Sequence, residues 1–407
     1  MTTTPRRDSL DIILLIGSIF ALGVSIIAAG SMAIIAGLNN FLQLIENAQS
    51  AWSIALIFSM MGLLTIPSLY LSYRSLSGQP AMVSRSLSPI FFVVGIGYPL
   101  ALALGTLSRE FDVLPSILEP VAHVIAALTP MLFMSIYVVR QLPLIPWRRI
   151  WGQFTGGLWI SPMIALVIEL LAALPFLFLL FAYVLTEVDP LDFIDPLTSG
   201  APLDENYVEA ELQFLFDQPL LIISVILFVT VLVPLLEELI KTIALWPMLR
   251  RGLSPLYAFV GGAIAGGAYG MFEAFFLVQP GEGWAGLMIA RAGATLMHMI
   301  TTAITSLGLS LAIQRKKWTT APRYYFYAVL LHGLWNVAAI GVGVAYLFQE
   351  ADVSTVSQSA LSAVTVGSGI VLSLLAAGAA FGLHSFPKHL LKREHSGTHQ
   401  EASAGVS

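Results

Sequence analysis

Cysteine is absent from the 407 residues, which rules out disulfides, a thiolate nucleophile and any cysteine-ligated metal. Charge is scarce as well, at 11% of the chain, too little for a soluble domain of this length. Basic stretches interleaved with aromatics are missing, so nothing points to nucleic acid. No His-Glu-x-x-His is present, and a metal site would need ligands from separate segments. Gly367-Ser368-Gly369 is the wrong spacing for a serine nucleophile, and the first histidine downstream is His384. No apolar segment carries a pair of aspartates.

What fills the chain is apolar: 57% hydrophobic residues and a mean hydropathy of +0.84. Runs of eighteen or more such residues recur, which is the signature of helices crossing a bilayer. The fold class is therefore an all-α, polytopic transmembrane helix bundle. Ten spans are predicted, at 11–37, 51–71, 89–107, 120–138, 157–185, 219–248, 256–278, 286–313, 324–347 and 358–382. Charge tests that count. Sixteen of the 19 Lys and Arg fall in the termini and in alternate loops, while the other loops hold only Arg109. By the positive-inside rule both termini face the cytoplasm, and the chain is a multi-pass protein of the plasma membrane. The first apolar run follows Arg6-Arg7 but continues to Leu38, too long for the core of a signal peptide, so it reads as an anchor.

Spans one to five are chemically quiet, with His123 and Glu169 as isolated titratable groups. Residues 1–186 form an N-terminal five-span region of unassigned role. The segment 187–218 is an acidic extracytoplasmic loop without Lys or Arg, expected to be a solvated loop or a substrate-docking lid. Residues 219–347 form a four-helix catalytic core, 348–386 the tenth span, and 387–407 a polar cytoplasmic tail expected to be disordered.

The core carries four polar clusters at depths where polarity is costly: Glu237-Glu238-x-x-Lys241, Phe272-Glu273, His298-x-x-x-Thr302 and His332-x-x-Trp335-Asn336. A charge at mid-bilayer costs several kcal/mol, so such groups are functional candidates. Glu237 and Glu238 each lie within one helical turn of Lys241, which neutralises one carboxylate and leaves the other to act. Gly262, Gly266 and Gly270, four apart, admit a close neighbouring helix on a face that leads towards Glu273. Tyr269 lies one turn before Glu273 and is placed to orient it. Thr301, Thr302 and Thr305 are expected to satisfy an imidazole nitrogen of His298. His332 lies about 14 Å from Arg323 along the helix and Glu237 about 20 Å from Arg250, at the helical rise.

Two glutamates and two histidines at this depth suit hydrolysis of a peptide bond. Glu237 or Glu238 serves as the base for an admitted water, with His332 and Asn336 facing the oxyanion. Alternatively His298, His332 and Glu273 hold a zinc ion that acidifies the water. A proton- or ion-coupled transporter and a non-catalytic membrane scaffold are the competing classes. Against a transporter, the deep groups sit in one half with no inverted repeat in the other.

The four motifs, in this order, resemble the PrsW family of intramembrane proteases, which is related to the type II CAAX prenyl proteases and the wider CPBP group. The resemblance covers about residues 219–347. Glu273 at the second motif, where the relatives can carry His, favours the PrsW branch. It implies cleavage of a membrane-anchored protein, such as an anti-sigma factor, in or near its membrane segment. Glu237, Glu238, Glu273, His298 and His332 then correspond to catalytic or ligand positions, with Lys241, Thr302 and Asn336 in support. The family's metalloprotease description and a metal-free glutamate mechanism both remain open.

Overall fold

A computed structural model describes residues 9–42, 48–83, 88–111, 115–142, 145–187, 219–277, 283–350 and 357–404. Helices account for nearly all of them: α1 (Ser9–Leu42), α2 (Ala48–Leu76), α3 (Ser88–Glu110), α4 (Pro115–Val139), α5 (Trp147–Thr155), α6 (Ser161–Glu187), α7 (Pro219–Leu227), α8 (Val233–Ile240), α9 (Trp246–Leu249), α10 (Pro255–Phe276), α11 (Trp284–Arg315), α12 (Thr320–Glu350) and α13 (Gln358–Ala404). Among the described residues ten helical stretches are long and apolar enough to cross a membrane. They coincide with the ten predicted spans, and the chain is a multi-pass membrane protein.

Two predicted features come out differently. The tail after Phe386 is helical to Ala404, continuing α13 past Pro387. Its Lys, Arg and Glu residues are good helix formers, and Glu394 accepts a hydrogen bond from the Leu256 backbone. The fifth span begins earlier than predicted, because α5 runs into α6 through a π-helical turn at Gly156–Ile160. The acidic loop lies almost wholly outside the described residues.

The chain forms two compact units. The first comprises Met1–Pro162, Glu238–Ala328 and Leu375–Ser407, and the second Met163–Glu237 and Val329–Leu374. At the heart of the first unit, α10 is buried along almost its whole length. Pro255 opens it where no intrahelical donor is needed. Small residues then bring its neighbours to backbone contact. A Cβ on Gly266 would lie 2.1 Å from the His298 carbonyl oxygen, and one on Gly262 2.6 Å from that of Thr302. The opposite face is equally tight, since a Cβ on Gly157 would lie 2.2 Å from the Ala265 carbonyl. The glycine stripe therefore seats α11 against α10, as the sequence predicts.

The second unit is built around another π-helical turn, Phe228–Leu232. Both π turns end two residues before a proline, Pro162 or Pro234. Proline has no N–H for the carbonyl four residues back and crowds it, so the ladder widens there. In the second unit that leaves the Thr230 carbonyl free of its helical partner. It packs against Gly333 of α12, where a Cβ would approach to 2.4 Å. One residue earlier, the Val229 carbonyl accepts from Asn336 Nδ2 at 2.9 Å.

Candidate active site

In the first unit, five side chains from three segments form one continuous polar line. Glu238 is the sixth residue of α8, and Lys241 opens the 3₁₀ turn that follows it. Both are fully buried, and Lys241 Nζ lies 3.0 Å from Glu238 Oε1. Nζ also reaches His298 Nδ1 of α11 at 2.6 Å. The other imidazole nitrogen, Nε2, lies 3.0 Å from Glu273 Oε2 of α10. Arg291 closes the line on the same carboxylate oxygen at 2.5 Å. Tyr269 lies alongside, with the Lys241 ammonium 4.5 Å from its ring centre and the His298 ring 5.6 Å away. A cation over an aromatic face is stabilised by the ring quadrupole, which matters where water is excluded.

The line has a direction. An ammonium can only donate, so Lys241 donates to Nδ1 of His298, and Nε2–H must then donate to Glu273. Arg291 donates to the same Glu273 oxygen, so that carboxylate accepts from both neighbours. Charges thus alternate from Glu238 through Lys241 to Glu273 and Arg291, with a neutral imidazole at the centre. Each burial cost is offset by a partner of opposite sign.

The second unit contributes a separate pair. His332 Nε2 and Glu237 Oε2 are 3.8 Å apart, and both side chains are buried. That is beyond hydrogen-bond range. It is near the spacing of about 3.4 Å that two ligands reach when they share one tetrahedral zinc.

Several groups take places that differ from the expectation. The imidazole nitrogens of His298 face Lys241 and Glu273 rather than the threonines. Thr301 and Thr305 hydroxyls donate to backbone carbonyls of their own helix, and the buried Thr302 lies in the glycine groove beside Gly266. Tyr269 faces Lys241 and His298. The Asn336 amide is spent on the Val229 carbonyl. Arg291 is the residue that motif reading passed over. Its signal was present, as one of two cations inside predicted spans and two turns from His298. His123, which looked isolated, is buried between the Phe275 carbonyl (3.1 Å) and Trp284 Nε1 (3.2 Å), a structural arrangement.

Comparison with protein families favours one of these classes. Residues 206–365 match the family described as PrsW family intramembrane metalloprotease. This part of the chain is similar to that family. The match contains every residue of the polar line and of the Glu237–His332 pair. No curated protein and no solved structure matches the chain significantly. The PrsW match supports an intramembrane protease, and the metalloprotease description raises the question of ligands. Glu237, His298 and His332 are three buried donors of the types that zinc accepts. The facing of Glu237 and His332 fits two ligands on one ion.

Proposed function

We propose that the chain is an endopeptidase of the plasma membrane that cuts a membrane-anchored protein within or beside its membrane segment. The carrying observation is the buried line Glu238–Lys241–His298–Glu273–Arg291, within a region that matches a protease family. Neither a packing helix nor an inert scaffold needs five ionisable or proton-transferring groups in register below the membrane surface.

Glu238 is the general base. Its carboxylate takes a proton from a water whose oxygen attacks the scissile carbonyl carbon, and then returns that proton to the departing amine. Lys241, bonded to Glu238, balances the carboxylate before transfer and steadies the negative charge that develops afterwards. Glu273 and Arg291 fix the His298 ring through Nε2. Because Glu237 is joined to Glu238 by one peptide bond, we assign Glu237 and His332 to the same reaction, His332 on the oxyanion side. Thr302 and Asn336 position the helices that carry these groups.

If a metal is bound, Glu237 and His332 would be ligands to it, with Glu237 taking the ligand role first considered for Glu273. Bound zinc supplies a Lewis acid that makes water acidic enough to be deprotonated near neutral pH. Glu273 is better suited to orienting His298, since Arg291 already claims its carboxylate. The substrate class is a single-span membrane protein. An anti-sigma factor is one such protein, proposed from the family resemblance alone.

The test is cleavage of fluorogenic single-span peptides in proteoliposomes, with metal content measured on the same samples. Wild type is expected to cut, and Glu238→Gln to lose on the order of 10²–10⁴ in rate. His332→Ala is expected to lose both activity and bound metal. Wild-type cleavage by Glu238→Gln would overturn the base assignment. Cation uptake that depends on Glu238, without any cleavage, would instead favour a transporter.

A further inference from the structure

The helices that carry the polar line are joined at their outer ends by a histidine outside it. His123 of α4 is buried against the end of α10, where its Nε2 lies 3.1 Å from the Phe275 carbonyl oxygen. Phe275 belongs to the last turn of α10, where carbonyls run out of donors within the helix. The same turn carries Glu273, whose backbone carbonyl accepts from Leu277. On its other side the imidazole meets Trp284 Nε1 at 3.2 Å. An indole N–H can only donate, so Nδ1 accepts and Nε2–H donates to the Phe275 carbonyl. Trp284 is the first residue of α11. Trp284, Arg291 and His298 are spaced by seven and share one face of that helix. One imidazole thus ties the turn that holds Glu273 to the start of the face that holds both its partners.

The α3 helix holds the same end. A Cβ on Gly105 would lie 2.4 Å from the Trp284 ring, and Tyr98 donates to the Met288 carbonyl at 3.1 Å, one turn further along α11. The Arg109 guanidinium lies 5.0 Å from the centre of the Trp284 ring and pairs with Glu119 of α4 at 3.3 Å. Both α3 and α4 precede the stretch matched to the protease family.

We infer that His123 is a positioning residue for the Glu273–His298 bond, and that the α3–α4 pair is the brace through which it acts. The inference rests on the proteolytic reading above. Gly262, Gly266 and Gly270 set how closely α10 and α11 approach, but a glycine face offers little resistance to sliding along the helix axis. A bond from each helix end to one ring does resist it. A slide of two residues, about 3 Å, would break one of the His123 bonds and part Glu273 from His298 with it. Geometry at the reacting groups is then lost without any change in the groups themselves.

The test compares wild type, His123→Phe, His123→Gln and Trp284→Phe as full chains in proteoliposomes, with cleavage rates taken per folded molecule well below each melting temperature. His123→Phe removes both bonds and is expected to lower kcat by on the order of 10–100-fold, the scale of a small misplacement of reacting groups. KM should hold. His123→Gln keeps an amide donor for the Phe275 carbonyl and should retain most of the rate. Trp284→Phe loses only the indole donor and should fall between the two; it carries the same test if His123→Phe does not fold. A purely structural His123 would lower the melting temperature and leave kcat per folded molecule at the wild-type value. NMR of ring-labelled histidines, assigned with His298→Gln, reads the positioned ring without any cleavage. In wild type the His298 Nε2–H proton should show the downfield shift of a bond to carboxylate, and in His123→Phe that shift should shrink. Wild-type kcat, or an unchanged His298 signal, in folded His123→Phe would overturn the inference. A wild type that cleaves nothing would remove the proteolytic reading instead, and the His298 signal would still decide whether His123 positions that ring.

Discussion

The buried ammonium of Lys241 sets the strongest expectation for a single side chain. It is fully buried and shared between Glu238 and the His298 ring. Lys241→Met leaves the Glu238 carboxylate without its countercharge in an apolar setting. Breaking a buried pair in this way costs about 3–5 kcal/mol, whereas replacing both partners by apolar groups is close to neutral. Lys241→Met is therefore expected to lower the melting temperature in detergent sharply. Lys241→Met with Glu238→Leu should recover most of the loss and have no proteolytic activity. Equal destabilisation by the single and double variants would show that the pair is not coupled. Glu273→Gln is a milder case, because that side chain is 27% exposed. It is expected to fold and to reduce cleavage, since a neutral amide oxygen holds the His298 Nε2–H less strongly than the carboxylate does.

Between helices, the decisive distances are those to backbone, because backbone cannot rotate out of the way. Gly266→Ala would bring a methyl carbon to 2.1 Å from the His298 carbonyl oxygen, so α10 and α11 must separate. Overpacking of this kind costs about 1–3 kcal/mol or more. It also parts Glu273 from His298, so activity is expected to fall with stability. Gly286→Ala on the same α11 meets nothing within 4 Å and should be neutral or slightly stabilising through helix propensity. Thermal unfolding and peptide cleavage on the two variants test the contrast. Asn336→Ala removes the donor to the Val229 carbonyl at the π turn, a bond worth about 1 kcal/mol with more lost if the carbonyl stays dry. Asn336→Asp, which cannot donate, should behave like the alanine variant. The glycine stripe was legible in sequence because its period is local to one helix. The partners of His298 were not, since Lys241 lies 57 positions away and Glu273 25, and Arg291, which bonds Glu273, belongs to no motif. Asn336 could be picked out by its distance from His332. Its actual partner is the Val229 carbonyl at the π turn, which no spacing rule connects to it.

For the whole molecule, the ten spans were legible because apolar runs and loop charges are independent signals that agree. The two compact units were not, because their boundary cuts through α8 between Glu237 and Glu238, and through α12 and α13. Hydropathy has no mark for such a division. The remaining global question is orientation, and it follows from the arginines. Sixteen of 19 Lys and Arg lie in the termini and the loops on their side, while the segment 187–218 has none. Transferring even one guanidinium through the hydrocarbon costs several kcal/mol. Inverting the chain would move most of these cations to the wrong side. Green fluorescent protein fused after Ser407 is therefore expected to fluoresce, and alkaline phosphatase inserted between Glu187 and Asp217 to be active. The reverse pattern would overturn the cytoplasmic placement of both termini. The protease reading would survive that result, because the polar line lies inside its helix bundle whichever way the chain faces.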